Sequence, residues 1–537
     1  MYSIFAAETA SEVSQSAPIF PLVVTGLFFL TILAIAAWGM KKTKSVDDFF
    51  LAGHTLGPWV LAISYGAAYF SAVVFIGFAG TYGWQCSFKS LWVGVGNAVL
   101  GSWLAWVVLG KATRKMTRRL NASTMPEFFL ARYGSHGMKF VGAFAIFVFL
   151  LPYSAGVFSG LTYLFQAVFH IDMKVALTAI TAVTGVYLVF GGYKAAARID
   201  FLQGMIMFVG AVAMVLFVAF FFARQYGGMG AAFSHATDMF NGRLAIAEQP
   251  VAEGGLGGKP VPGWLFWSVV FMSSMATWGM PQMVQKYYAI KDEGQIFKGS
   301  IVCFAFALVV GVAAYSIGAF AHLMPMDSLV ATLNADGKID VNQLVPSVLI
   351  HTLPSWFLAI VLLLVLSASM STLCSLALTS ASAFSIDVFR GYMAPRASEK
   401  TALVVLRVSC AFFVVGAYLV ALFNPSWIVA LTSLTWAVVA GGFLAPYVYG
   451  LFWRGVTKAG AIAGMATGLI VSNGFYWGLF FLDSPASAKR LSPVVASIAM
   501  IAPFFVVPLV SLVTKKLDPE LVSKAFDDAP NAESNPS

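Results

Sequence analysis

Stretches of about twenty apolar residues, the length that crosses a bilayer as a helix, recur from residue 19 to residue 514 of this chain. Candidate spans lie at roughly 19–40, 58–82, 89–110, 139–167, 173–191, 201–223, 264–288, 296–323, 354–384, 401–424, 428–450, 459–482 and 492–514. Only 10% of the residues are charged, against about a quarter in a soluble domain. So few polar side chains cannot cover a water-exposed surface of this size, whereas lipid accepts apolar side chains outside as well as in. Backbone polar groups within lipid must bond internally, which leaves helices or closed barrels. Barrel strands alternate apolar and polar residues, and Met205, Ile206, Met207, Phe208 and Val209 do not alternate. The expected fold class is all-α: a polytopic membrane protein of about 13 transmembrane helices.

The charges test the topology. With the N-terminus outside and the spans alternating, 24 of the 32 Lys and Arg residues fall inside and 8 outside, as the positive-inside rule requires. Residues 1–18 carry Glu8 and Glu12 but no Lys or Arg, unlike the basic start of a signal peptide. They read as an extracytoplasmic N-terminus ahead of a retained first helix and its cytoplasmic linker (19–57). Residues 224–263 are rich in Gly and Pro and read as an extracytoplasmic loop with room for a short helix. Residues 515–537 read as a polar, disordered cytoplasmic tail.

The net charge is +9, but its placement in short loops and span ends argues against nucleic acid. The four cysteines and six histidines form neither a disulfide framework nor a metal-ligand spacing. No Ser–His pair or acid cluster sits at bilayer depth, so an enzyme is not expected. A channel would need a polar-lined pore or a repeated filter. A sensor would need a signalling domain larger than this tail.

Several spans are irregular. The second holds Ser64, Tyr65, Gly66, Ala67, Ala68, Tyr69, Phe70 and Ser71; the seventh holds Ser273, Ser274, Thr277, Trp278, Gly279, Met280 and Pro281. Pro281 cannot donate to the preceding turn and clashes with it, so the seventh span kinks or breaks there. A break frees carbonyls for a cation or N–H groups for an anion; an ordinary kink filled by neighbours is the equal alternative. In the ninth span Ser367, Ser371 and Ser375 share one face with Thr372 beside it. Such hydroxyls suit an alkali cation, though small hydroxylated residues also mark close helix packing. Asp200, at the start of the sixth span, is either a helix-start acid or part of an inner cation path.

Four segments in order carry a family resemblance: residues 46–58, Val-Asp-Asp-Phe-Phe-Leu-Ala-Gly-His-Thr-Leu-Gly-Pro; residues 190–203, Phe-Gly-Gly-Tyr-Lys-Ala-Ala-Ala-Arg-Ile-Asp-Phe-Leu-Gln; residues 368–372; and residues 446–464, with Pro446, Trp453, Arg454, Thr457, Lys458, Gly460, Ala461 and Gly464. From about residue 17 to residue 485 the chain resembles the sodium/solute symporter family, the bacterial carriers of proline, pantothenate, sialic acid and sugars. The resemblance implies a LeuT-like fold of two inverted five-helix repeats, here 58–223 and 264–450, with 451–514 adding two helices. It places sodium on the backbone oxygens of Ala67, Phe70 and Ala368 and on the side chains of Ser371 and Thr372. It makes Asp200 and Ser375 an inner sodium path. The solute-site candidates are Tyr69, Tyr153, Thr277, Trp278 and Gln282, with no buried Lys or Arg expected among them.

In the two-sodium members of the family the inner position uses a serine where this chain has Ala368 and a hydroxyl residue matched by Tyr69, so a single sodium is expected. The proline branch has an aspartate at Tyr69, an arginine at His54 and a tryptophan at Ser273, which weakens a plain proline assignment. The implied function is sodium-coupled symport of a small polar solute, a monocarboxylate or amino acid such as pantothenate or proline, across a bacterial inner membrane. Sodium is the coupling ion and no other cofactor is implied. A proton-coupled carrier of the same fold is the alternative.

Overall fold

A computed structural model describes residues 19–42, 57–290, 293–334, 337–423 and 427–527. His54 and most of the 46–58 segment lie outside the described residues, as do residues 1–18 and the end of the tail from 528. The elements used below are α1 (Ile19–Lys42), α2 (Pro58–Tyr69), α3 (73–86), α4 (91–120), α5 (Met125–Tyr133), α6 (His136–Phe169), α7 (Met173–Tyr226), α8 (Met229–Ala245), α9 (Gly263–Gly279), α10 (Pro281–Tyr288) and α11 (Ile296–Phe320). They continue with α12 (Val341–Thr352), α13 (Ser355–Met393), α14 (Glu399–Phe423), α15 (Ile428–Phe452), α16 (Lys458–Leu482), α17 (Pro485–Val513) and α18 (Pro519–Phe526).

Ten helices among the described residues are long and apolar enough to cross a membrane, with shorter apolar helices at Trp59–Tyr69 and Met173–Val186. Burial sorts them. Helices α13 and α15 are enclosed nearly all round, whereas α1, α14 and α16 show much of their surface outward. On α14 the outward residues Val404, Val408, Phe412, Val415 and Leu419 are all exposed. Their spacing of three or four makes one apolar stripe, which a helix in water would hide and a helix against lipid need not. Close packing inside relies on glycine. A Cβ added at Gly94 of α4 would lie 2.8 Å from the carbonyl carbon of Gly311 on α11, so the two backbones touch there as small residues permit in membranes.

The expected irregular spans are interrupted in the same way. Helix α2 ends at Phe70, whose extended backbone (φ −83°, ψ 123°) separates it from α3. Helix α9 ends at Met280 (φ −80°, ψ 121°) before α10 begins at Pro281. The cause at Met280 is direct: a following proline pushes a residue out of the helical region. No proline follows Phe70. There Ser71 caps the next turn, its Oγ accepting from Val73 N at 3.2 Å.

Two expectations, on the fifth and sixth spans and on the tail, need correction. The fifth and sixth candidate spans, with the 190–203 segment between them, form one helical run, α7, of 54 residues. Straight, it would be about 80 Å long, more than one crossing needs. Ala195, Ala196 and Ala197 favour continuing the helix, and no proline stops it. The long linker after α7 includes α8, a helix of 17 residues. The tail is not wholly disordered. Asp518 caps α18 through Glu520 N, with Pro519 in the first turn, a favoured start. Arg119 donates to the carbonyls of Ala525 and Phe526 at 3.3 and 2.7 Å. The guanidiniums of Arg132 and Arg454 lie over the Phe526 ring, and Arg454 pairs with Asp527 at 2.8 Å.

Candidate functional site

The breaks at Phe70 and Met280 bring backbone polar groups to the enclosed helix α13. In an unbroken helix Ala72 N would reach Ala68 O; here it donates to Ser369 Oγ at 3.1 Å. The Thr372 hydroxyl takes the place of that donor. Its Oγ1 lies 2.9 Å from Ala68 O, 3.1 Å from Ala368 O and 3.5 Å from Phe70 O. A hydroxyl has one proton, so it serves one of these carbonyls at a time. The other oxygens turn lone pairs toward the same small volume, an arrangement that favours a small hard cation. The structure thus brings Phe70, Ala368 and Thr372 together. Ala67 is fully buried in the last turn of α2, but the oxygen nearest Thr372 is that of Ala68, which the sequence reading passed over.

Ser371 points to a second cluster. Its Oγ donates to Asp200 Oδ1 at 2.9 Å. Ser64 donates to Asp200 Oδ2 at 2.7 Å, and Lys286 Nζ reaches Ser64 Oγ at 2.8 Å and Asp200 Oδ2 at 3.2 Å. The side chains of Asp200 and Lys286 are each 1% exposed. One carboxylate therefore ties together α2, α7, α10 and α13. The second-span hydroxyl beside Asp200 is Ser64, not the Tyr69 position. Lys286 is buried too, with Asp200 and not among the aromatic solute candidates, where no Lys or Arg was expected. Counting it as an inner-surface charge hid this, because a lysine just past Pro281 reads like a span-end residue. Ser375 is buried one turn beyond Ser371.

The solute-site candidates divide. Tyr69 stacks on Trp436 of α15 with ring centroids 6.2 Å apart, and Tyr153 meets the same ring edge-on at 5.8 Å. Phe78 stacks on Trp436 at 5.7 Å. Trp436 follows the buried hydroxyls Thr432, Ser433 and Thr435 in an otherwise apolar span, the one local signal that could have marked it. The Tyr69 hydroxyl donates to Ser273 O at 2.9 Å, bridging α2 and α9. Thr277 and Trp278 turn away from this cluster toward α4: Thr277 Oγ1 donates to Gly101 O at 2.8 Å and Trp278 Nε1 to Leu100 O at 2.9 Å. Gln282 is buried, and its Oε1 has no partner among the described residues.

The sodium:solute symporter family pattern matches residues 49–468 of the 537. This chain belongs to that family. As a sodium:solute symporter it moves a small polar solute with sodium as its coupling ion, and it is not an enzyme. The symporter is 29% identical over 458 residues to the osmoregulated proline transporter OpuE of Bacillus subtilis strain 168, an alignment covering 82% of this chain and 86% of that one. It is 25% identical over 472 residues to the sodium/proline symporter of Escherichia coli K12, covering 84% and 88%. Its fold matches a substrate-bound, outward-open Na+-coupled sialic acid symporter with a TM-score of 0.71 at 16% identity, over 93% of this chain and 99% of that one.

Proposed function

We propose that this symporter carries a small amino acid, proline foremost, or a monocarboxylate such as pantothenate into a bacterial cell with one sodium ion per cycle. The observation that carries the reading is the convergence of the Ala68, Phe70 and Ala368 carbonyls on Thr372 Oγ1 beside a broken helix. Sodium held by Ala67, Phe70, Ala368, Ser371 and Thr372, with Ala68 added, would join α2 to α13. A ligand that binds one arrangement of two helices better than another shifts their population by that difference. For Ser371 to join the cage its hydroxyl must leave Asp200, which couples the two clusters.

Lys286 supports the single sodium. Its ammonium already sits where a cation would neutralise Asp200, so a second alkali ion there would meet a like charge. Asp200 and Ser375 then form a path that sodium passes rather than a second storage site.

The solute is assigned to the rings of Tyr69, Tyr153 and Trp436 on α2, α6 and α15; of the other candidates, Thr277 and Trp278 would act from behind this group, through their bonds to α4, and Gln282 has an amide oxygen without a partner among the described residues. An aromatic face suits the aliphatic ring or chain of a small amino acid, and a few polar groups fix its orientation. The proline-carrying relatives support proline, and the absence of a lysine from this aromatic group argues against dianions. With α7, which is far longer than one crossing needs, taken as two crossings, the paired extended residues Phe70 and Met280 support two inverted repeats, α2–α7 and α9–α15, within thirteen crossings. The charge bias supports an outside N-terminus and an inside C-terminus. Uptake of labelled proline, pantothenate, acetate, pyruvate and neutral sugars into proteoliposomes under an inward sodium gradient tests the reading. Proline accumulating above the rest is expected; a sugar accumulating instead overturns the solute assignment.

A further inference from the structure

Below the proposed sodium cage, the buried hydroxyls of α13 continue past Ser371 and Ser375, which the proposed cycle uses, to Thr379 and Ser382, which it does not. Ser371, Ser375, Thr379 and Ser382 follow one another at spacings of four, four and three, and all are buried, so they share one face of the helix. Thr379 Oγ1 donates to Gln285 Oε1 of α10 at 2.9 Å. The row opens into a small cavity, with room for about one water-sized group, where Ser123, Thr124, Gln285, Thr379, Ser382 and Asp387 meet.

Asp387 is fully buried. Its Oδ1 accepts from Thr124 Oγ1 at 2.9 Å and lies 3.5 Å from Lys139 Nζ. Its Oδ2 has no partner among the described residues. Buried carboxylate oxygens are costly to leave without a donor or counter-ion. Lys139 does not fully compensate the charge, because it also approaches Glu127 Oε1 at 3.8 Å. Two carboxyl groups share one ammonium there. Glu127 is otherwise held by the start of α5, where its Oε2 accepts from Ser123 N. The oxygen that remains available is Asp387 Oδ2.

We propose that Asp387, with the Thr124, Thr379 and Ser382 hydroxyls and the Gln285 amide oxygen, forms an inner binding site for a monovalent alkali cation. This site receives sodium from the Thr372 cage along the hydroxyl row before its release into the cell. The inference rests on the sodium cage proposed above. A single uncompensated carboxylate among neutral oxygens suits a monovalent ion, whereas calcium and magnesium draw on more charge or a larger oxygen set. An ionisable residue inside a membrane protein commonly marks an ion path. A neutral cage above and an acid below also give the ion an energetic slope toward the inner side. The hydroxyls at Ser375, Thr379 and Ser382 replace part of its hydration on the way.

The test compares two activities of one preparation in proteoliposomes: net uptake driven by a sodium gradient, and solute exchange with equal sodium on both sides. Net uptake requires sodium to leave on the inner side in every cycle; exchange does not. Asp387→Asn is expected to lower the ratio of net uptake to exchange about tenfold, with Asp387→Glu recovering most of it. Thr379→Val, which interrupts the row without touching a charge, should lower the same ratio by a smaller factor. Thr379→Val decides the matter if Asp387→Asn does not fold. A ratio unchanged in the folded variants overturns the exit site. Wild-type uptake indifferent to sodium would instead overturn the cage on which the inference rests, so the two failures are distinct.

Discussion

Replacing Lys286 by methionine should convert a paired buried carboxylate into an unpaired one. The ammonium lies 3.2 Å from Asp200 Oδ2, and both side chains are 1% exposed. At that separation the Coulomb attraction is about 5 kcal/mol for an effective dielectric constant near 20. Desolvation opposes much of it, so the pair's net worth is smaller. Removing one partner is another matter, because it leaves a charge in the core with, among the described residues, the Ser64 and Ser371 hydroxyls to solvate it. Such a change costs about 3–5 kcal/mol, whereas replacing both partners costs far less. Lys286→Met should therefore unfold at lower denaturant or temperature in detergent without sodium, and Lys286→Met with Asp200→Asn should recover most of the loss. Sodium should protect the single variant more than the wild type, since the unpaired carboxylate becomes an alkali site. Equilibrium binding of radioactive sodium should find an additional ion. Equal losses in the single and double variants, with unchanged sodium stoichiometry, would refute both the ion pair's role and the single-sodium argument.

Trp436→Ala should raise the solute concentration for half-maximal uptake by about tenfold or more, because it removes the ring shared by Tyr69, Tyr153 and Phe78; a saturation curve at fixed sodium checks this. Thr277→Val should change that value much less, since its hydroxyl is committed to Gly101 O. Phe526→Ala removes the ring beneath Arg132 and Arg454 and should make the segment after Val513 cleave faster in limited proteolysis, with the spans unaffected. Gly94→Leu should greatly reduce the yield of folded protein, because its side chain would enter the Gly311 backbone.

The membrane fold was legible because length and hydrophobicity act together along nearly the whole chain. The break at Met280 was legible too, since Pro281 acts on its neighbour through local sterics. The break at Phe70 had no such marker; it depends on Ser71, Ser369 and Thr372 satisfying groups freed by the interruption, contacts made between residues almost 300 positions apart. Ser371 and Thr372 stood out by their chemistry and the family resemblance, but nothing local could say that Ser371 faces Asp200. Lys286 was misread because a charge rule treats lysines as interfacial, and only packing shows that this one is enclosed. Trp436 was marked only by the hydroxyls of Thr432, Ser433 and Thr435 before it, which read equally well as close helix packing. Helix α18 carried a start signal in Asp518 and Pro519, masked by the polar composition that follows.

The central claim is that sodium binds where the carbonyls of the broken α2 and of Ala368 meet the Thr372 hydroxyl. Equilibrium binding of radioactive sodium to purified wild-type, Thr372→Ser and Thr372→Val protein tests it directly. Wild type and Thr372→Ser should bind with similar affinity. Thr372→Val, which keeps the shape and loses one oxygen, should bind about tenfold or more weakly, the equivalent of about 1.4 kcal/mol. Unchanged affinity in Thr372→Val would contradict the account.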